Sequence, residues 1–159
     1  DYGECDFAKD MDADGLMGVL DKVVDQTKAM HTQGVQWGEL NLPNMIIDKD
    51  QNVHICDPET EYSPKVPVPE RQARDLFIFL MSSSAALQHG NGVDHAVAIR
   101  RMLDRYQLGE ETKKELKKLA EKPMSFLQKL TFGYTQVNYG LRDKAEYEKI
   151  KQDIASCLG

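Results

Sequence analysis

The chain has 159 residues, of which 41% are hydrophobic and 29% charged, a composition typical of globular domains and unlike that of disordered or membrane chains. Its formal net charge of −6 argues against a nucleic-acid partner, because phosphate binding draws its affinity from clustered Lys and Arg. The length fits one domain, or one large lobe of a two-lobed domain. No run approaches the roughly 18 consecutive apolar residues that span a bilayer, so we expect no transmembrane segment.

The cysteines are odd in number and widely spaced, at Cys5, Cys56 and Cys157. This pattern favours neither a disulfide framework nor a zinc site, and it is typical of a reducing compartment, so we expect a cytoplasmic protein. The acidic start lacks the basic region of a signal peptide. Because the chain does not begin with Met, we expect a trimmed chain or a fragment.

The first predicted element is an amphipathic helix over residues 14–33, where apolar residues recur at the spacing of one helix face. Asp12 or Asp14 is the expected N-cap, and Gly34 the C-terminal stop. Two β-rich runs follow, at 45–47 and 53–56, around a polar five-residue loop. Such a pair predicts a β-hairpin.

The rest of the chain is predicted to be helical. Prolines between 58 and 69 predict a loop of restricted backbone freedom. Residues 70–88 have a helical pattern that is apolar on most sides around 76–81, which predicts a deeply buried helix ended by a turn at 89–92. Further helices are expected at about 93–106, 110–121 and 143–157, while 125–138 is ambiguous. The predicted fold class is therefore mainly α with a small β-hairpin.

One segment resembles a known family. Residues 34–48 read GVQWGELNLPNMIID, which is similar to the catalytic loop of the protein-kinase-like superfamily, particularly divergent bacterial and small-molecule branches with a His-Gly-Asp-Leu-x-Pro-x-Asn pattern. Asp57 follows where that family has its Asp-Phe-Gly metal-binding segment, and Arg74-Asp75-Leu76 lies in the predicted buried helix. The resemblance implies the C-terminal lobe of a kinase-like fold over 1–159, with a hinge at 1–8, the catalytic loop and metal-binding segment at 34–59, and a helical subdomain at 70–159.

The resemblance also implies a function, the transfer of the ATP γ-phosphate to a hydroxyl of a protein, sugar or lipid-sugar substrate, with ATP and Mg²⁺ as cofactors. Phosphoryl transfer requires positioning and charge neutralisation more than covalent help, and Mg²⁺ prefers hard oxygen ligands. The residues that match the family pattern are Glu39 and Asn41 as catalytic residues, Asn44 and Asp57 as metal ligands, Asp1, Tyr2 and Gly3 at the nucleotide-binding hinge, and Asp75 as a structural brace that accepts backbone amides of the catalytic loop.

The segment also departs from the family pattern. Glu39 replaces the catalytic Asp, Trp37 replaces the usual His, Asn41 occupies the place of the phosphate-facing Lys, and Pro58-Glu59 replaces Phe-Gly. No glycine-rich phosphate cradle or nucleotide-pairing Lys precedes the loop. This chain alone is therefore expected to be inactive and to need an N-terminal lobe.

A second hypothesis is a pseudokinase-like scaffold without chemistry, which would bind a protein partner at an exposed cleft or self-associate. A third is a helical domain unrelated to kinases. Each site residue also has a plainer interpretation: Glu39 as a surface carboxylate, Asn44 as a turn-forming Asn, Asp57 as a strand-ending turn residue, and Asp75 as a first-turn acid favoured by the helix dipole. The remaining candidates are expected to be structural or solvent-facing: His31, His54, His89, His95, the serines at 82–84, and the core aromatics Phe77, Phe79, Phe126 and Phe132.

Overall fold

The computed structural model describes residues 11–38, 40–48, 52–56, 62–124 and 140–159. Within these ranges the chain forms five α-helices, a 3-10 turn and one two-stranded antiparallel sheet. In chain order they are α1 Ala13–Thr32, the 3-10 turn Leu42–Asn44, β1 Met45–Ile47, β2 Val53–Ile55, α2 Val68–Asn91, α3 His95–Tyr106, α4 Glu110–Glu121 and α5 Lys144–Cys157. The prediction of a mainly helical protein with a small hairpin is confirmed.

Helix α1 begins and ends where its capping residues predict. The side chain of Asp12 accepts a hydrogen bond from the Gly15 N–H at 2.8 Å, so Asp12 and not Asp14 is the N-cap. After the last turn Gly34 adopts a φ of 80°, a left-handed conformation that glycine takes without steric cost. The apolar face of α1, which includes Leu16, Leu20 and Val23, is buried and holds the helix against the rest of the bundle.

The hairpin pairs Met45 with Ile55, Ile46 with His54 and Ile47 with Val53, which confirms the predicted hairpin. The second strand ends at Ile55, one residue earlier than predicted, yet the pairing continues because the N–H of Cys56 donates to the carbonyl oxygen of Asn44 at 2.8 Å. The hairpin contacts α1 through β2, and the preceding 3-10 turn contacts α2. The second strand and the turn before the hairpin therefore each lie against a helix.

Helix α2 is the centre of the fold and contacts each of the other four described helices. It begins at Val68, two residues before the predicted start, because Pro69 occupies the first turn, where its missing N–H has no intrahelical partner to lose. It ends at Asn91, with Gly92 as the C-cap at a φ of 65°. The predicted turn at 89–92 is wrong, since the helix includes residues 89–91. The expected burial is confirmed, since Phe79, Leu80, Met81 and the serines at 82–84 are at most 3% exposed.

The three remaining helices complete a core around α2. Asp94 and Asp143 cap α3 and α5 through hydrogen bonds to first-turn N–H groups, and α4 has the predicted bounds. Because Asp94 is the cap, α3 starts two residues later than predicted. The ambiguous segment 125–138, with Phe126 and Phe132, lies outside the described residues, while Phe77 is partly buried against the core.

None of the helices in the described ranges combines the length and the apolar character that crossing a membrane requires. The longest, α1 and α2, carry charged residues along their length. Their apolar residues are instead used in the core of the bundle.

Candidate functional site

The predicted site residues divide into two groups. Asn41, Asn44 and Asp75 belong to the described part of the chain. The remaining positions, Asp1, Tyr2, Gly3, Glu39 and Asp57, lie outside it, so their roles stay predictions. The geometry of the site is therefore built from the residues that flank Glu39 and Asp57 in the sequence.

The carboxylate of Asp75 holds the backbone that immediately precedes Glu39. Asp75 is fully buried, and its Oδ2 accepts from the N–H of Trp37 at 2.7 Å while its Oδ1 accepts from the N–H of Gly38 at 2.9 Å. Gly38 adopts a φ of 94°, a backbone conformation that a glycine takes without the steric cost of a Cβ. The segment 37–38 is thus fastened to α2 by two adjacent backbone donors.

The plainer interpretation of Asp75 as a first-turn acid is wrong. Helix α2 begins at Val68, so Asp75 lies about two turns inside the helix, beyond the reach of the dipole effect at the N-terminus. Its charge is balanced by hydrogen-bond donors and not by the free N–H groups of a helix end. A buried carboxylate in a helix interior has to be satisfied by partners from other segments.

Two side chains complete the set of donors around Asp75. The hydroxyl of Tyr62 lies 2.9 Å from Oδ1, and Nε2 of His31 lies 3.1 Å from Oδ2. Each carboxylate oxygen therefore has two donors, which matches the acceptor capacity of an ionised carboxylate. Nδ1 of His31 in turn lies 2.7 Å from the hydroxyl of Tyr106 in α3. His31 is buried and structural, as expected.

Trp37 connects the same segment to the end of the hairpin. Its indole Nε1 donates to the carbonyl oxygen of Cys56 at 3.1 Å, and the N–H of Cys56 donates to the carbonyl oxygen of Asn44. Cys56 immediately precedes Asp57 in the sequence. The segment before Glu39, the residue before Asp57, and Asn44 are therefore joined by a continuous series of hydrogen bonds.

Asn41 has a structural task in this arrangement. It is 5% exposed, and its Oδ1 accepts from the N–H of Asn44 at 3.2 Å, which caps the 3-10 turn. The following N–H, that of Leu42, donates to the hydroxyl of Ser82 in α2 at 3.3 Å. Hydrogen bonds at Asn41 and Leu42 therefore fix the start of this turn, which leads from the predicted catalytic residues to the predicted metal ligand Asn44.

The chemistry of the positions proposed for Mg²⁺ fits a hard cation. Asn44 and Asp57 are both oxygen donors, the ligand type that Mg²⁺ takes, and the bond between Asn44 and Cys56 brings the two stretches of chain together. Within the described ranges, no group of three His, Cys, Asp or Glu side chains is placed to hold a metal ion. Any such ion would depend on Asn44 and on residues outside these ranges.

Sequence reasoning missed the side chains that contact Asp75, which are His31 and Tyr62, and it missed Tyr106, which contacts His31. They lie 44, 13 and 31 positions from Asp75 along the chain, and no local pattern links them. Burial, followed by the charge of Asp75, raises the pKa of Tyr106 to about 12. A histidine at the buried end of an amphipathic helix is the one signal that could have pointed to this cluster.

Comparison with known proteins finds no family model, no curated protein and no solved structure that matches this chain. The function has therefore to be inferred from the geometry around Asp75 and from the sequence motif that this residue holds.

Proposed function

We propose that this chain is the C-terminal lobe of a protein-kinase-like phosphotransferase, which transfers the γ-phosphate of ATP to a hydroxyl of a protein, sugar or lipid-sugar substrate. The observation that carries the proposal is the pair of hydrogen bonds from the Trp37 and Gly38 N–H groups to Asp75. They hold the backbone directly before Glu39, the residue that matches the catalytic acid of the family. A buried, fully satisfied carboxylate is a costly device, and its use here favours a loop that must keep one geometry.

The proposed chemistry assigns each residue a limited task. Glu39 would accept or orient the proton of the substrate hydroxyl, and Asn44 and Asp57 would hold Mg²⁺. When bound, Mg·ATP supplies the phosphoryl group and neutralises its developing charge. Because misplacement by ~1 Å can cost on the order of 100-fold in rate, the bonds that Asp75, Trp37 and Cys56 make to neighbouring segments support this function by limiting movement of the loop.

Magnesium-dependent nucleotide binding tests the proposal. ATP is titrated calorimetrically, with and without Mg²⁺, into the whole gene product that contains this chain and any N-terminal lobe. The Asp57→Asn variant is compared with Asp104→Asn, the same substitution at an exposed position of α3. We expect binding that requires Mg²⁺ in the wild type and in Asp104→Asn, weakened at least about tenfold in Asp57→Asn. Absence of ATP binding in the wild type would contradict the proposal.

Catalysis is tested separately from binding. Glu39→Gln retains the size of the side chain but removes its ability to take a proton, so we expect ATP turnover to fall by about 100-fold or more while the affinity for Mg·ATP is kept. Equal turnover in Glu39→Gln and the wild type would remove Glu39 from the mechanism.

An inactive scaffold is the second candidate, and one observation favours it. Asn41 occupies the place of the family's phosphate-facing Lys, and its side chain is buried and used to cap the 3-10 turn. An amide is uncharged, and one already used to cap a turn cannot replace a lysine that neutralises a phosphate. The same titration separates the candidates, since a scaffold of this kind would show no Mg²⁺-dependent ATP binding.

A further inference from the structure

Tyr106 lies at the end of α3 and is separated from the segment 37–38 by two side chains. Its hydroxyl contacts Nδ1 of His31 at 2.7 Å, and the two rings meet edge to face with centroids 5.8 Å apart. Nε2 of His31 contacts Oδ2 of Asp75, the same oxygen that accepts from the Trp37 N–H. The three side chains are at most 6% exposed, so water does not compete for these bonds.

The direction of each hydrogen bond follows from counting protons. An ionised carboxylate only accepts, so the contact with Asp75 requires a proton on Nε2 of His31. In a neutral imidazole the other nitrogen, Nδ1, then has to accept, and the Tyr106 hydroxyl is the donor beside it. This donor is protonated at neutral pH, as a tyrosine ordinarily is, and burial raises its pKa further, to about 12.

A doubly protonated His31 fits the cluster less well. Its Nδ1–H would donate to the Tyr106 oxygen, and the hydroxyl proton of Tyr106 would then need another acceptor. Among the described residues the Tyr106 hydroxyl has no hydrogen-bond partner besides His31. A buried donor without an acceptor costs free energy, which favours the neutral ring.

We propose that Tyr106 is a positioning residue for the segment 37–38: it fixes the tautomer and ring orientation of His31, which fixes Asp75 and, through it, the Trp37 and Gly38 N–H groups. Helix α3 is thereby coupled to the loop that carries Glu39. The functional meaning of this coupling depends on the proposed phosphotransferase activity, but the coupling itself is measurable without any nucleotide.

The test uses Tyr106→Phe, which removes only the hydroxyl. Tyr147→Phe is the matched control, since Tyr147 in α5 is 7% exposed and Tyr106 6%, and Tyr147 belongs to a different helix. Amide hydrogen exchange at Trp37 and Gly38 is measured by NMR under native conditions, with each variant corrected for its change in global stability. We expect exchange at both amides to accelerate about threefold to tenfold in Tyr106→Phe, the effect of losing one hydrogen bond in the series, and to keep the wild-type rate in Tyr147→Phe.

Unchanged exchange in Tyr106→Phe, or equal acceleration in both variants, would overturn the proposal. A second measurement does not depend on a variant that folds. Long-range ¹H–¹⁵N correlation in the wild type should show His31 protonated on Nε2 and unprotonated on Nδ1, and a proton on Nδ1 would equally overturn the proposal.

The same experiments separate failure of the coupling from failure of the proposed function. If the wild type binds no Mg·ATP, the phosphotransferase proposal fails, while accelerated exchange in Tyr106→Phe still establishes the coupling. If the wild type is active, we expect Tyr106→Phe to lower kcat severalfold with little change in the KM for Mg·ATP. A merely structural role for Tyr106 would leave the normalised exchange at Trp37 unchanged.

Discussion

The indole nitrogen of Trp37 donates to the carbonyl oxygen of Cys56 at 3.1 Å, and this bond joins the segment before Glu39 to the residue before Asp57. The Trp37 backbone N–H is simultaneously bound to Asp75. One residue therefore connects α2, the loop and the end of the hairpin. In the family that the loop resembles, this position is usually His, and a tryptophan here keeps a ring N–H while adding buried apolar area.

Trp37→Phe should lower the free energy of unfolding by about 1 kcal/mol, because it removes the N–H donor to the Cys56 carbonyl while keeping most of the apolar contact. Trp37 is the only tryptophan of the chain, so urea unfolding has to be followed by circular dichroism. Since Cys56 is only partly buried, water can replace part of the lost bond. A loss above about 3 kcal/mol would show that the ring fills space that Phe cannot.

Asp75→Asn should be much more costly. The amide keeps the size of the side chain but replaces one acceptor oxygen with a donor, which leaves two of the four donors around it facing an N–H group. We expect a loss of about 3 kcal/mol in urea unfolding, typical of a broken buried network. Asp104→Asn, at an exposed position of α3, is the control and should change stability by less than about 0.5 kcal/mol. Equal stability of the two variants would show that Asp75 does not hold the loop.

Gly38→Ala and Gly18→Ala should have opposite effects. Gly38 has a φ of 94°, where a Cβ is strained, and its N–H is bound to Asp75, so we expect a loss of about 1–2 kcal/mol. Gly18 lies inside α1 and an added Cβ there meets nothing within 4 Å, so alanine should stabilise the helix by about 1 kcal/mol. Both values come from the midpoint of urea unfolding at constant m. Stabilisation by Gly38→Ala would mean that the loop has a different backbone conformation.

Most of the described helices could be predicted because their ends and apolar faces follow from local sequence patterns. Helix α4 has the expected bounds, since Gly109 before it and Lys122-Pro123 after it interrupt the periodicity. The start of α2 could not be predicted from the same signals. Pro69 usually indicates a loop, but it is tolerated in a first turn, and only packing of the whole helix against its four neighbours decides between the two.

The candidate site could be predicted only in part, for a different physical reason. The motif at 34–48 suggested Asp75 because the family has an Asp at the matching place. The other partners of Asp75 are single residues from α1 and from the segment before α2, and no periodicity or spacing connects them. Contacts between single polar residues distant in the sequence depend on the packed structure, so they are visible only once the helices are assembled.

His95 should make the protein less stable in mild acid. Burial lowers the pKa of this histidine and outweighs the negative charges of Asp153, Glu146 and Asp94, which raise the pKa; the positive charge of Lys149 also lowers it. Because the pKa is lower in the folded state, the unfolded chain takes up the proton first as pH falls. The stability that the neutral His95 contributes is therefore present above the ordinary histidine pKa of about 6.5 and is lost as pH falls below it.

We expect His95→Gln to flatten the decline in unfolding free energy between pH 7.5 and 5, measured in urea. His54→Gln, at an exposed site of the hairpin, is the control, and an equal effect there would remove His95 as the cause.

Tyr106 should make the protein less stable in strong alkali. Burial and then the charge of Asp75 raise the pKa of its hydroxyl to about 12, above the value of about 10 for an unfolded tyrosine. The folded state therefore keeps the proton to a higher pH than the unfolded state. The stability that this supplies is complete below about pH 10 and is lost as pH rises toward 12.

The free energy of unfolding of the wild type, measured in urea between pH 8 and 11.5, should decline more steeply than that of Tyr106→Phe, because the variant lacks the ionising group. The ultraviolet absorbance of tyrosinate provides an independent reading, since the variant should lack one late-ionising tyrosine. Parallel pH profiles for the two proteins would mean that the hydroxyl ionises as easily in the folded state as in the unfolded chain, which would contradict the raised pKa.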